Sequence, residues 1–255
     1  MRILATLAKI SFAGFLISLA LGLFAGFGTQ LGLWNFKFGL LTLFPWCLYI
    51  GIGAFALGLI WIVAALIRNN GDGARYGLIG LIGSAAVLAL PLYDIYVAKT
   101  SPPIHDISTD IEHPPQFEAL LSLRKGALNP PEYDGPKMVK MDDGKSYTTS
   151  ALQRKYYGDI HTIPILTSPE KLFNRALRAA KAMDWNIVAV APDEGRIEAT
   201  STSLFFGFTD DIVIRVKPSG MGARMDIRSK SRVGSSDVGA NAARIRKYVK
   251  KLLGS

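Results

Sequence analysis

The sequence predicts an α-helical membrane domain of three transmembrane helices joined to an α+β soluble domain, whose antiparallel sheet carries two helices on one face. Three observations predict it. Residues 1–99 are almost wholly apolar, with Asp72 and Asp94 as their acids. Residues 100–160 are rich in Pro, Asp and Gly. From residue 161 onward, helical and strand periodicities alternate in a regular order.

The apolar part holds three runs, 3–27, 38–67 and 76–98. Each reaches the about 20 residues that a bilayer-spanning helix needs. Arg2 and Lys9 give the first run a basic start, but the run outlasts the 7–15 residues of a signal h-region, so it reads as an uncleaved first span. Arg68 and Arg75 flank the second loop, whereas the first loop offers Lys37 and the exit of the third span Lys99. Basic residues near membrane ends favour the cytoplasmic side. The expected placement is a bacterial cytoplasmic (inner) membrane, with the N-terminus cytoplasmic and the C-terminal domain periplasmic. Gly14, Ser18, Gly22 and Gly26 recur every four residues and form a small-residue stripe that another helix can approach closely. It serves packing within the chain or docking of a membrane-protein partner. Cys47 is the one cysteine, so no internal disulfide forms and thiol chemistry is excluded from the soluble part.

Residues 100–160 read as an extended arm packing on the domain that follows, with one short helix near 118–124. In residues 161–255, 163–166 form a strand. Ser168-Pro169-Glu170 supplies an N-cap, a first-turn proline and an early acid, ahead of Leu172, Phe173, Ala176, Leu177, Ala180 and Met183 at helical spacing. Strands follow at 187–191 and 196–203 around a turn at 192–195, and a hairpin at 212–217 and 223–233 around 218–222. Pairing Ile214 with Ile227 sets Arg215 opposite Asp226 and Asp211 opposite Lys230. A last helix opens at Ser236 or Asp237 with Val238, Ala242, Ile245, Val249 and Leu252 on one face.

The soluble part carries 23 basic against 18 acidic side chains. That balance suits anionic headgroups or an acidic partner and falls short of a nucleic-acid footprint. One polar constellation stands out as a ligand-binding candidate: Asp210, Asp211, Arg228, Ser229, Ser231, Arg232, Asp237, Asn241 and Arg244. Arg228 and Arg232 offer guanidinium forks, and the start of the last helix, beside Ser235 and Ser236, offers free amides to an anion. The same residues also suit an internal network in which Asp237 caps the helix and Asp210 or Asp211 neutralises an arginine. A secondary candidate, His105, Asp106 and Asp110, with His113 nearby, matches no standard metal-ligand spacing, and no metal or cofactor is expected. His161 with Ser229 lacks a nucleophile elbow, and Gly220-Met221-Gly222 needs only a hairpin turn to explain it.

The stretch 197–246 closely resembles the domain of unknown function (DUF) 1499 family of bacteria. The likeness rests on Asp210-Asp211, Arg228-Ser229-x-Ser231-Arg232-x-Gly234 and Asp237-x-Gly239-x-Asn241. Upstream, Pro103-Ile104-His105-Asp106-Ile107-Ser108-Thr109-Asp110 and Pro114-Pro115-x-Phe117 are similar to its membrane-anchored members. The Asn-Cys-Val-Ser-Ser-like segment of many other members is missing, so no role of that cysteine carries over. The resemblance covers about residues 100–252 and implies a fold and a motif map, with no reaction attached. The expected function is a non-enzymatic, membrane-anchored binding module for a partner protein or an anionic lipid or envelope component. The alternative is an envelope hydrolase or metal-dependent enzyme using Asp210 and Asp211.

Overall fold

The computed structural model describes residues 2–254. Contacts divide them into two compact units: the residues up to Tyr96 together with Leu204–Gly207, and residues 97–203 together with 208–254.

The first unit is built on three long helices, α1 (Arg2–Gln30), α2 (Phe36–Ile67) and α3 (Ala74–Thr100, whose last turn belongs to the second unit). All three are long and apolar enough to cross a membrane. Large apolar side chains such as Leu41, Leu66, Ile67 and Leu90 point away from the bundle. A bundle with an apolar exterior is at home in lipid. Small residues bring the helices together. A Cβ added to Gly14 would lie 2.8 Å from Ala54, and one on Gly22 3.1 Å from the Cys47 sulfur. Ser11 and Ser18 hydroxyls donate to the carbonyls of Ala54 and Cys47 at 2.8 and 2.7 Å. The Gly14, Ser18, Gly22 stripe is therefore filled by α2 of the same chain. Of the two roles the sequence allows this stripe, these contacts are those of packing within the chain. Gly26, the last of the stripe, is met by Phe205.

The second unit is an antiparallel sheet in the order β1-β8-β7-β6-β5. Its strands are β1 (Asp106–Ser108), β5 (Asn186–Ala191), β6 (Arg196–Thr202), β7 (Thr209–Ser219) and β8 (Gly222–Ser231). A short β4 (Ile163–Ile165) shares the outer edge of β8 with β1. Strands β2 (Met138–Lys140) and β3 (Ser146–Thr148) form a separate hairpin, followed by helix α4 (Thr149–Tyr156). The expected β7–β8 register is present: Ile214 faces Ile227, Arg215 faces Asp226 and Asp211 faces Lys230. Helices α5 (Pro169–Lys181) and α6 (Ala240–Leu253) cover one face. Leu172, Phe173, Ala176 and Ala180 of α5 and Ala242, Ile245 and Leu252 of α6 join Ile197, Ile212, Ile214, Met225 and Ile227 in the core. The Ser168 hydroxyl accepts the Lys171 amide at the start of α5, as expected.

Three features differ from expectation. The last helix begins at Ala240, because Val238 adopts φ 53° and Gly239 φ 81°, neither compatible with a helix. Tyr248, absent from the expected stripe, is fully buried: it stacks on Trp185 at 5.4 Å and its hydroxyl donates to the Ala176 carbonyl. The third concerns residues 100–160, which pack on the sheet with a short helical turn as expected but also hold strands and helix α4. They supply β1 to the sheet, and a 3-10 turn, Ala119–Arg124, packs Phe117 and Leu120 on Val213. The sheet face opposite the helices is thus covered as well.

Candidate functional site

Side chains alternate across a strand. That rule splits the nine candidates into two clusters on opposite faces of the sheet. Asp211, Arg228 and Arg232 lie under the arm. Asp210, Ser229 and Ser231 lie toward α6, with Asp237, Asn241 and Arg244.

Beneath the arm, the Arg228 guanidinium donates to both Asp106 oxygens at 2.8 and 2.9 Å and to the carbonyls of Pro131 and Glu132 at 2.9 and 3.0 Å. It lies between the rings of Phe117 and Tyr133, 4.6 and 5.4 Å from their centroids, and is fully buried. Lys230, also fully buried, reaches the Glu132 carbonyl at 2.6 Å and Asp106 and Asp134 at 3.3 and 3.1 Å. Asp211 receives Arg124 and a two-point fork from Arg232 at 2.8 and 2.9 Å. Of the secondary candidates, Asp106 is part of this network, His105 Nε2 lies 2.9 Å from Asp134, and Asp110 pairs with Arg215 at 3.0 Å. His113 is exposed. No grouping of three or more metal-ligating side chains occurs among the described residues.

Toward α6, the Ser229 hydroxyl donates to Asn241 Oδ1 at 2.6 Å, and Asn241 Nδ2 donates to the His105 carbonyl and the Ser231 hydroxyl, both at 3.0 Å. Arg244 joins Ser229 at 3.0 Å and Asp210 at 2.5 Å. The Asp237 carboxylate accepts the amides of Gly239 and Asn241 at 2.8 and 2.9 Å, and Ser236 accepts that of Val238 at 3.2 Å. Burial outweighs those bonds and pushes the Asp237 carboxyl up from its ordinary value. The amides and guanidinium groups open to an external anion in the sequence thus hold the protein's own carboxylates. His161 is exposed and bonds its neighbour Thr162, while Ser229 is buried, so the two do not form a pair. Of two clefts, of about 400 and 290 Å³, the first lies between β4 and α6 and the second beside His105 and Asp134. Asp210 and Asp211 line neither.

A family model described as "Protein of unknown function (DUF1499)" matches residues 106–252. The chain belongs to the DUF1499 family. A comparison with curated proteins finds no match. The DUF1499 match opens at Asp106, the first residue of β1 and the partner of Arg228. Several members of its buried network escape sequence reasoning. Glu198 and Lys230 sit at strand positions that alternation assigns to solvent, and Arg124 and Asp134 lie in irregular chain without periodicity. Only the match of signs across strand partners, Asp211 with Lys230 and Asp226 with Arg215, hints at a covered polar face.

One member of the network sets a pH dependence. Burial alone raises the Asp134 carboxyl, but His105 and Lys230 outweigh it and hold it at about 2, below the ordinary 3.8. A depressed carboxyl stabilises the fold above its unfolded value and loses that stabilisation as pH falls through its folded value. About 2 kcal/mol is therefore lost between pH about 4 and 2. Acid unfolding of Asp134→Asn, followed by hydrogen exchange at β8, will show a correspondingly smaller change across this window than the parent chain.

Proposed function

We propose that this DUF1499 protein is a membrane-anchored, non-enzymatic binding module that recognises an anionic lipid or envelope component. Its place is the bacterial cytoplasmic membrane, with the sheet unit on the periplasmic side. One observation carries the reading: ion pairs draw most arginines of the second unit inward, whereas the lysines other than Lys230 form no salt bridge among the described residues. Guanidinium forks suit dry, two-point pairing, and the strongly hydrated ammonium suits a wet surface. The charge left facing outward is therefore mainly lysine. It concentrates at the end of α6, where Lys247, Lys250 and Lys251 are exposed around the half-exposed Leu253. Lys250 and Leu253 also line the apolar cleft formed with Ile160, Ile163 and Val249. An anionic surface gains about 1 kcal/mol per nearby lysine. Asp210 and Asp211, saturated by arginines, lend no support to the hydrolase alternative.

The test is capture of the full chain, held in zwitterionic nanodiscs, by phosphatidylglycerol-containing liposomes. Binding is expected, weakening with salt and falling at least about tenfold in the Lys247→Glu, Lys250→Glu, Lys251→Glu triple variant. Equal capture by purely zwitterionic liposomes, or an unchanged triple variant, overturns the reading.

A further inference from the structure

The connection between β6 and β7 is a four-residue tip of unusual chemistry. Hairpin tips favour Gly, Asn, Asp, Pro and Ser, which satisfy tight backbone angles and face water. Here the tip reads Leu204-Phe205-Phe206-Gly207. Its base is fastened conventionally. The Ser203 amide donates to the Phe208 carbonyl at 2.8 Å, the Phe208 amide donates to the Ser203 hydroxyl at 2.9 Å, and Gly207 supplies the left-handed residue at φ 68°. Turn geometry thus accounts for Gly207 and leaves three large apolar side chains unexplained.

Their surroundings explain them. Leu204–Gly207 belongs to the helical unit by its contacts, although the strands on either side belong to the sheet unit. Phe205 meets Phe27 edge-on at 5.5 Å, and Phe206 meets Phe44 edge-on at 6.0 Å. Gly26 gives the Phe205 ring its room: a Cβ there would lie 2.5 Å from it. Leu204 remains 80% exposed, in company with exposed apolar side chains of the three helices such as Ile67 at 79%. Chain topology agrees. Three crossings bring the end of α1, the start of α2 and the end of α3 to one membrane face, and Phe27 and Phe44 belong to those first two ends. Aromatic rings at that level sit in the interfacial belt, where an amphipathic environment suits them.

We propose that Leu204-Phe205-Phe206 is a membrane-seated tip: its partner is the lipid bilayer, with Phe205 and Phe206 wedged among the helix ends and Leu204 inserted among acyl chains. The other end of β7 supplies an internal control. Met221, in the β7–β8 turn, is also apolar and 99% exposed, but its turn belongs to the sheet unit. Exposed apolarity alone would send both tips into lipid; the proposal sends only one.

The experiment uses the full chain in lipid nanodiscs. Cys47, the only cysteine, is replaced by alanine, and a spin label is attached at Leu204→Cys or Met221→Cys. Both positions are exposed, so neither label disturbs packing. Collision rates with oxygen, which concentrates in lipid, and with a water-soluble nickel chelate then report depth. The oxygen-to-chelate ratio is expected to be several-fold higher at 204 than at 221. A label at 204 that meets the chelate as freely as one at 221 overturns the proposal. Lipid-like ratios at both sites overturn it equally, since they indicate general adhesion of apolar tips. The result is independent of the lysine-rich end of α6, which lies outside this hairpin.

Discussion

Arg228→Ala will destabilise the sheet unit by about 3–5 kcal/mol, the cost of stranding a buried charge. Removal of the guanidinium leaves Asp106, itself fully buried, with Lys230 as its remaining ion-pair partner, and empties the space between Phe117 and Tyr133. The carbonyls of Pro131 and Glu132 lose a donor at the same time. Arg228→Lys will not restore the loss, because one ammonium cannot supply the two-point fork to Asp106, the carbonyl bonds and the stacking together. Amide hydrogen exchange of β1 and β8 in the full chain measures the effect. A loss below about 1 kcal/mol is the outcome that counts against a scaffold, since a side chain held ready for an external ligand contributes little to stability. The prediction also means that charge reversal at Arg228 cannot test binding, because the fold would fail first.

The β7–β8 register was legible because two signals coincide. Ile212, Ile214 and Val216 alternate against Met225 and Ile227, and the register that brings them together also brings opposite charges together. Slipping by one residue would turn every apolar side chain outward. The helices were legible from their stripes and from the Ser168 cap. The role of the arm was not. Its carbonyls and amides bond side chains of the sheet, and such contacts leave no periodicity in either partner. Alternation alone therefore gives no sign that Glu198, Asp226 and Lys230 are buried. Tyr248 was missed for a related reason: it extends the apolar stripe of α6 sideways to meet Trp185, which lies just before β5.

For the candidate site, residue types were informative and their grouping was not. All nine residues occupy the region where sheet, arm and α6 meet, and all are engaged with one another or with Asp106, Arg124 or a backbone group. Strand alternation, applied to Asp210 beside Asp211 and to Arg228 beside Ser229, separates them into two clusters. The family motifs therefore coincide with the ionic scaffold that holds arm, sheet and last helix together, and surface chemistry has to be sought elsewhere, on the lysines and the apolar tip.

Glu198→Ala will unfasten the arm while the hairpin beneath it persists. The Glu198 carboxylate is fully buried and accepts the amides of Glu118, Ala119 and Leu120 at 3.1, 3.0 and 2.9 Å. These are amides at the start of the 3-10 turn, which a helical segment cannot satisfy by itself. Arg196 balances the charge, and its other partners, Glu118 and Glu194, are more than half exposed and cannot replace a buried acceptor. Loss of the carboxylate leaves those amides unpaired under Phe117 and Leu120 and leaves Arg196 only its exposed partners, at a cost of about 3 kcal/mol. Glu198→Gln tests the chemistry without changing shape: one acceptor oxygen becomes an NH₂ donor facing other donors, so about 1–2 kcal/mol is still lost. Exchange at Ala119 and Leu120 will accelerate in both variants, more in the first, while the central β7–β8 amides keep their protection. Equal acceleration in β7 and β8 would mean that arm and sheet open as one cooperative unit, with Glu198 inside it rather than at its clasp.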